Sequence, residues 1–532
     1  MKCNLDIINS FIKTGFFDRK DMLAISGSNS NSEQGSPPRS LFLLVSKKAI
    51  IRSWYLPKFN LRCKHKNRYQ MKKLFIAASI FIFPFSGSGQ QTNSEQLTGW
   101  KAGVAKADIT PTESIWMGGF GFRNKPSEGI RTKIWTKALA LEDKNQRKVV
   151  FISVESSGVT KEIYDVILKG LKEKYQLGSD QVVINSSHTH SSPAPRAGFA
   201  RDEKGKEGVR KYVAKLESQV IEMTGKALSS LEPVKIYSGN GVVRFQINRR
   251  NNIEHKLYLQ NKYNGPNNYA VPVLKVEKSS GDLLAVLFGY ACHASVLRDY
   301  LISGDYPSYA QMELEKLYPG ATAIFFQGTG GNQVGYPRSS EGAARQHGKS
   351  LAAAVERVLS ETMEELSPTL TTSFEEINLE SDKVPPTKEE LTKIISDRSN
   401  FSDSVRAKAQ SDLDKLNRDE SVIQTYPYPI QVWKLGDLPI ITLGGEPIVE
   451  YATKLKLIFG QDAFVFGYSN YVMAYISNPL VLNEGGYEGS SSPFRESKWA
   501  LNIEPMIIQG VLKLARQVGV NMAPKKFAIP GG

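Results

Sequence analysis

Three of the chain's six histidines fall in two short segments, Asn185-Ser-Ser-His188-Thr-His190-Ser-Ser-Pro and Ala291-Cys-His293-Ala-Ser. Each segment follows an apolar run and is itself small and polar, so each reads as the tip of a strand. Imidazole is the commonest metal ligand because its neutral ring offers a lone pair near neutral pH. Strand ends fix such ligands while leaving the loop side open to a substrate. The same His-x-His spacing also occurs as an ordinary pair of surface polar residues. Cys292 adjoins His293, but neighbours in a strand point to opposite faces, so it is expected to be a buried packing residue, not a nucleophile.

The elements that must position these residues alternate along the chain. Strand patterns cover Lys133 to Leu141, Lys148 to Val154, Gln181 to Asn185, Leu283 to Cys292, Ala321 to Phe326 and Leu438 to Leu443, among others. Apolar residues at three- and four-residue spacing predict helices over Glu207 to Ser230 and Glu341 to Glu361; His347, on the second, reads as solvated. The expected fold is α/β: one large mixed-sheet catalytic domain over residues 100–525, flanked by helices, with the site at strand ends. Residues 385–421 read as a surface hairpin of two charged helices. Four strands deliver polar or glycine-rich tips: His188, His293, the Gly328-Thr-Gly-Gly331 loop and Glu446. If they share one sheet, the tips converge on one rim, the usual place for a site in α/β architecture. The glycine loop reads as a close backbone approach to that site. Glu446 equally suits the N-terminus of a following helix, and Asp305 suits either a partner behind a metal ligand or a helix cap.

Charge argues against nucleic acid. Of the formal +15, residues 1–70 account for 13 Lys and Arg against 4 Asp and Glu, and Lys72 and Lys73 add two more positive charges. The remainder of the 532 residues is nearly balanced and shows no basic stripe with interleaved aromatics. Residues 71–89 have a basic start, an apolar run of about ten residues and a small-residue end, the pattern of a bacterial secretory signal. Such a run is too short to span a bilayer, which takes about 20 helical residues. Translation is therefore expected to begin at Met71, with residues 1–70 a non-native extension and 90–99 a linker. The mature chain is expected to be periplasmic or secreted and without a transmembrane helix. Beyond Cys3 and Cys63 in that extension only Cys292 remains, so export comes without a disulfide.

Six motifs in chain order resemble the neutral (alkaline, non-lysosomal) ceramidase family. They are Gly103-Val-Ala-Lys-Ala-Asp108-Ile-Thr-Pro111, His188-Thr-His190-Ser, Asn248-Arg249, Cys-His293-Ala-Ser with Ser303-Gly304-Asp305, Gly-Gly-Glu446, and the Asn470, Tyr475, Tyr487-Glu488-Gly489-Ser490 tail. The resemblance implies a single zinc ion bound by His188, His293, Glu446 and Tyr475, with His190, Arg249 and Tyr487 as catalytic groups. It implies hydrolysis of the N-acyl amide of a ceramide-like lipid to fatty acid and amine base, with peripheral contact with membrane lipid as a further expectation. From the residues alone, Tyr475 also suits aromatic packing, and Arg250 competes with Arg249 for the inward position. Ser192 stands where the family usually has glycine, and Gly331-Asn332-Gln333-Val334 where it often has serine after Gly-Asn. The chain ends 57 residues past Tyr475, so the family's immunoglobulin-like C-terminal domain is expected to be missing. These departures bear on the substrate: a zinc hydrolase for another acylated lipid, amino compound or sugar is one alternative, and a non-catalytic exported binding protein is another.

Overall fold

A computed structural model describes residues 99–522 apart from 252–255, 258–264 and 495–496. The expected extension, signal segment and most of the linker lie outside the described residues. Two mixed sheets form the frame. The larger contains β1 (Trp100–Asp108), β2 (Trp135–Glu142), β3 (Lys148–Val154), β4 (Val182–Ser186), β5 (Glu232–Val242), β6 (Ala270–Lys278), β7 (Leu283–Tyr290) and β8 (Thr322–Gln327), in the spatial order β8-β7-β6-β5-β1-β2-β3-β4. A short ninth strand, Glu364–Glu365, adds to β5. The smaller sheet runs β9 (Leu370–Glu380), β10 (Thr425–Leu435), β11 (Leu438–Leu443) and β12 (Phe464–Phe466). The mixed-sheet expectation therefore holds with one correction. Three of the four tip-bearing strands share the large sheet, but the strand leading to Glu446 belongs to the second.

The two sheets face each other across a dry layer. Leu139, Phe151, Val183, Leu274 and Phe326 of the large sheet meet Trp433, Ile440 and Phe466 of the small one. These strands alternate side chains between two faces, and both faces are apolar because helices cover the far sides. Helices α1 (Lys161–Tyr175) and α2 (Glu203–Ser229) bury Ile163, Ile167, Val209 and Val220 against one half of the large sheet. Helices α3 (Asp305–Leu317) and α4 (Glu341–Ser360) cover the other half. Helices α5 (Val449–Phe459) and α6 (Ile503–Gln517) cover the small sheet. Side-chain oxygens of Thr160, Asp202 and Ser340 accept from free backbone N–H groups at the starts of α1, α2 and α4, fixing where each begins. Two further helices, Lys388–Ser396 and Asp403–Asn417, occupy the charged stretch 385–421.

Three strand–helix–strand units aim at one rim. The pairs β3/β4, β7/β8 and β11/β12 are parallel, with α1, α3 and α5 as their crossovers. Parallel neighbours end at the same side of a sheet, and contacts just past those ends bring the three pairs together, with His188 after β4 and His293 after β7 both meeting Glu446 after β11. The large sheet also curls on itself. The free edge of β8 is met by side chains from three other strands: Lys137 Nζ donates to Ala323 O (2.8 Å), Ser153 Oγ to Phe325 O (2.7 Å), and Asn185 Oδ1 accepts from Gln327 N (2.7 Å). An edge whose polar groups are satisfied internally cannot pair with another chain.

Candidate metal centre

At that rim the side chains close on one point. His188 Nε2 lies 3.1 Å and His293 Nε2 3.2 Å from Glu446 Oε2. Tyr475 Oη is 3.0 Å from His293 Nε2. His190 Nε2 is 3.1 Å from His188 Nε2. All of these groups are at least nine-tenths buried except the Glu446 side chain, which is 13 % exposed.

Local backbone explains the convergence. His188 lies two residues past the end of β4 with φ +57°, a conformation that costs a non-glycine residue about 1–3 kcal/mol and persists where surrounding contacts enforce it. Its Nδ1 meets Ser157 O at 2.7 Å, just past the end of β3. His293 lies just past β7, and its Nδ1 meets Gly330 O at 2.8 Å, in the glycine loop after β8. A Cβ on Gly331 would sit 2.6 Å from Glu446 O, so only glycine admits this close approach. Glu446 is not part of α5. It pairs with Tyr475 in a two-residue parallel bridge, Glu446–Pro447 with Tyr475–Ile476, placing both side chains on the rim.

Electrostatics set the protonation states. Burial works against the Glu446 charge, but the adjoining imidazoles of His188 and His293 outweigh it and keep the carboxyl well below its usual range. Burial, with the Arg249 charge nearby, pushes His293 down to about 4. Burial likewise keeps His190 neutral, well below the normal imidazole value. Burial and the Glu446 charge hold Tyr475 as a neutral phenol. An anionic carboxylate beside the neutral imidazole of His293 suits a divalent cation.

The donor set fits such a cation on a second count. Glu446 Oε2 is a buried oxygen with no well-directed hydrogen bond among the described residues, which is costly unless something positive completes it. Behind His188 and His293, a backbone carbonyl accepts from Nδ1 and leaves Nε2 free, the arrangement that orients histidine ligands. His188, His190 and His293 together also lie close enough to share an ion. His190 differs in that its buried Nδ1 has no partner among the described residues.

Arg249 and Arg250 are both buried, which resolves their competition. Arg249 Nη2 donates to Tyr475 Oη (3.1 Å) and Gly331 O (2.9 Å), and its Nε meets Glu488 Oε1 at 2.6 Å. Arg250 turns away to Glu488 Oε2 (2.8 Å) and Glu484 Oε2 (3.0 Å). Glu488, fully buried, was not readable as a site residue; its only trace in the sequence is its place beside Tyr487. Tyr487 stands at the mouth, half exposed, with its ring 5.3 Å from that of Tyr475. Tyr468, also missed, lies against His188 with ring centroids 4.6 Å apart.

Other expectations need correction or are settled. His347 is buried and stacked on Phe245 at 4.4 Å, with Nε2 on Pro337 O at 2.7 Å; its aromatic neighbour and a carbonyl, not solvent, satisfy it. Cys292 is fully buried, and burial raises its thiol well above the normal value. Asp305 touches no imidazole. Its carboxylate accepts from Leu297 N (2.8 Å) and Tyr306 N (2.6 Å), tying the loop after His293 to the start of α3. Ser192, the departure from glycine, accepts from Ser157 N (2.8 Å) and so steadies the loop whose carbonyl holds His188.

A cavity of about 280 Å³ opens over the donors, lined by Gly119, His188, His190, Glu446, Tyr475 and Tyr487 among others. A larger one, about 350 Å³, lies beside Lys434, Asp437 and Asp462 and contains no imidazole. The chemistry therefore sits in the smaller. Residues 100–358 match the family described as neutral/alkaline non-lysosomal ceramidase, N-terminal. That segment, just under half of the chain, is similar to the ceramidase family. His188, His190, Arg249 and His293 fall inside the matched segment, and Glu446, Tyr475 and Tyr487 beyond it.

The chain is 25% identical to neutral ceramidase A of Dictyostelium discoideum over 256 residues, which is 46% of this chain and 35% of that protein. The matched part thus spans about a third of that relative's length. Among solved structures, neutral ceramidase from Pseudomonas aeruginosa has the same fold, with TM-score 0.60 at 18% identity, covering 81% of this chain and 76% of that one. A ceramidase complexed with C2 gives TM-score 0.61 at 18% identity over 80% of this chain and 76% of that one. This likeness of fold covers more of the chain than the segment 100–358.

Proposed function

We propose that the chain is a zinc-dependent amidohydrolase that cleaves the N-acyl amide of ceramide-like lipids. The observation that carries the reading is Glu446 Oε2 within 3.2 Å of the Nε2 atoms of both His188 and His293, at the floor of a cavity in a ceramidase fold. His188, His293, Glu446 and Tyr475 would hold the ion. Zinc in a His and carboxylate site polarises an acyl oxygen and lowers the pKa of water toward about 7.

The chain's own groups supply the rest. His190, neutral and at the cavity wall, accepts a proton from the attacking water at a ring nitrogen and passes it to the amine nitrogen as the C–N bond breaks. Arg249 stays charged: burial opposes the charge, but Tyr475 and Glu488 more than offset it. Its guanidinium and the Tyr487 hydroxyl are donors on the side where the acyl oxygen gains charge, each such donor being worth about 3 kcal/mol. The products are a fatty acid and an amine. The export segment at 71–89 supports a periplasmic or secreted site of action.

Metal analysis coupled to ceramide hydrolysis tests the reading. One zinc per chain is expected, lost along with activity in His188→Ala and in His293→Ala. Absence of bound metal in active protein overturns it, and zinc-loaded protein active on a different N-acyl compound but not on ceramide moves the substrate.

A further inference from the structure

Behind the metal donors lies a buried charge network that the reaction above uses only as a source of charge. Glu488 is fully buried, and its two carboxylate oxygens are divided between two arginines: Oε1 accepts from Arg249 Nε at 2.6 Å and Oε2 from Arg250 Nη1 at 2.8 Å. Arg250 Nη2 also donates to Glu484 Oε2 and Gly485 O, both at 3.0 Å. Taking this many charges out of water is costly, and a well-packed apolar set would hold the fold as well or better. The network therefore calls for a reason other than stability.

Its geometry supplies one. A guanidinium is a flat, rigid fork, so fixing one edge fixes where the other points. With Nε held by Glu488, Arg249 turns Nη2 to Tyr475 Oη (3.1 Å) and Gly331 O (2.9 Å). Its Cζ lies 5.5 Å and 5.4 Å from the ring centroids of Tyr475 and Tyr487, two residues that line the cavity. Glu488 is in turn fastened to the strand that bears Tyr475: Ser477 Oγ donates to Glu488 O (3.0 Å), and Tyr475 N donates to Ser491 Oγ (3.3 Å). One short segment thus carries Tyr487, the anchor of Arg249 and a brace for Tyr475.

We infer that Glu488 is a positioning residue: it aims the Arg249 guanidinium at the place where the acyl oxygen gains charge and draws Arg250 away from the cavity. The inference rests on the donor role that the hydrolytic reading gives to Arg249. Glu488, fully buried, touches no substrate and acts through Arg249. Charge alone does not account for the arrangement, because Glu484 already pairs with Arg250 and any nearby carboxylate would neutralise Arg249. What Glu488 adds is one fixed acceptor oxygen for each fork, which sets direction as well as charge.

A double-mutant cycle between Glu488→Asp and Arg249→Lys tests it. The cycle is read on ceramide hydrolysis and, without turnover, on calorimetric binding of octanoate to the zinc-loaded chain, since that carboxylate presents a charged oxygen to the same donors. Glu488→Asp keeps the charge but is too short to hold both forks. It should lower kcat about tenfold and leave KM within about twofold, with zinc content and melting midpoint unchanged. Arg249→Lys should lower kcat on the order of a hundredfold. In the Arg249→Lys background, Glu488→Asp should cost less than about twofold more, and octanoate binding should show the same non-additivity. Glu488→Gln with Arg250→Gln removes one charge of each sign, which gives a balanced chain should the shorter acid unfold. It should also lose about tenfold in kcat, whereas a merely neutralising role predicts full turnover. Additive losses in the cycle, a parent-like Glu488→Asp, or full turnover in the balanced pair would each overturn the inference alone. A parent chain that neither binds octanoate nor hydrolyses an N-acyl amide overturns the hydrolytic reading and the inference with it.

Discussion

The three clustered imidazoles differ in what stands behind them. His188 and His293 rest on the carbonyls of Ser157 and Gly330, whereas the buried Nδ1 of His190 has no partner among the described residues. A ligand needs its far nitrogen anchored, while a proton carrier needs it free to change state. His190→Ala is therefore expected to keep a full complement of zinc and to lose roughly 10²- to 10⁴-fold in turnover. Loss of metal in step with activity would make His190 a ligand instead. At this scale the sequence disclosed residue types but not partners. His188, His190 and His293 stood out because chemistry-bearing residues were concentrated in small polar segments. The division of labour between Arg249 and Arg250 was hidden, because it is decided by Glu488, which meets them across separations of 239 and 238 residues. No local pattern encodes a contact of that span.

Elements were more legible than residues, and for a physical reason. Apolar periodicity reports which face of a strand or helix is buried, so the helix expected over Glu207 to Ser230 is found at Glu203–Ser229, and the one over Glu341 to Glu361 at Glu341–Ser360. Periodicity does not say which sheet a strand joins. β4 and β11 are both short apolar runs buried on both faces, and only their neighbours separate them into two sheets. The curl that brings β8 across β2, β3 and β4 is likewise carried by single polar side chains. Asn185 is the clearest: it accepts from Gln327 N at 2.7 Å and donates to Gly467 O at 2.7 Å, joining the edges of the two sheets just before the His188 turn. Asn185→Ala leaves the buried Gln327 N–H unpaired and removes one of the two donors to Gly467 O, the other being Ser469 Oγ at 2.9 Å, and a loss of about 1–3 kcal/mol in urea unfolding is expected. A loss under about 0.5 kcal/mol, the size of an ordinary surface change, would show that these groups find other partners.

The molecule as a whole is organised so that no single layer owns the site. His188 and His293 leave the large sheet, Glu446 leaves the small one, and Tyr475 is bridged to Glu446. The layer between the sheets, with Phe151 and Trp433 ring centroids 4.8 Å apart, sets how far apart these donors stand. A cation gripped by both sheets binds only when both are folded and docked, so its binding energy adds to the stability of the whole unit. Zinc at about 100 times its dissociation constant is expected to raise the free energy of unfolding by about 2.7 kcal/mol. The rise should be the same whether unfolding is followed by tryptophan fluorescence or by backbone circular dichroism, because one transition releases both sheets. Chelation should reverse it. A zinc effect on one signal alone would mean that the two sheets unfold separately, and that the donors from one of them suffice to bind the ion.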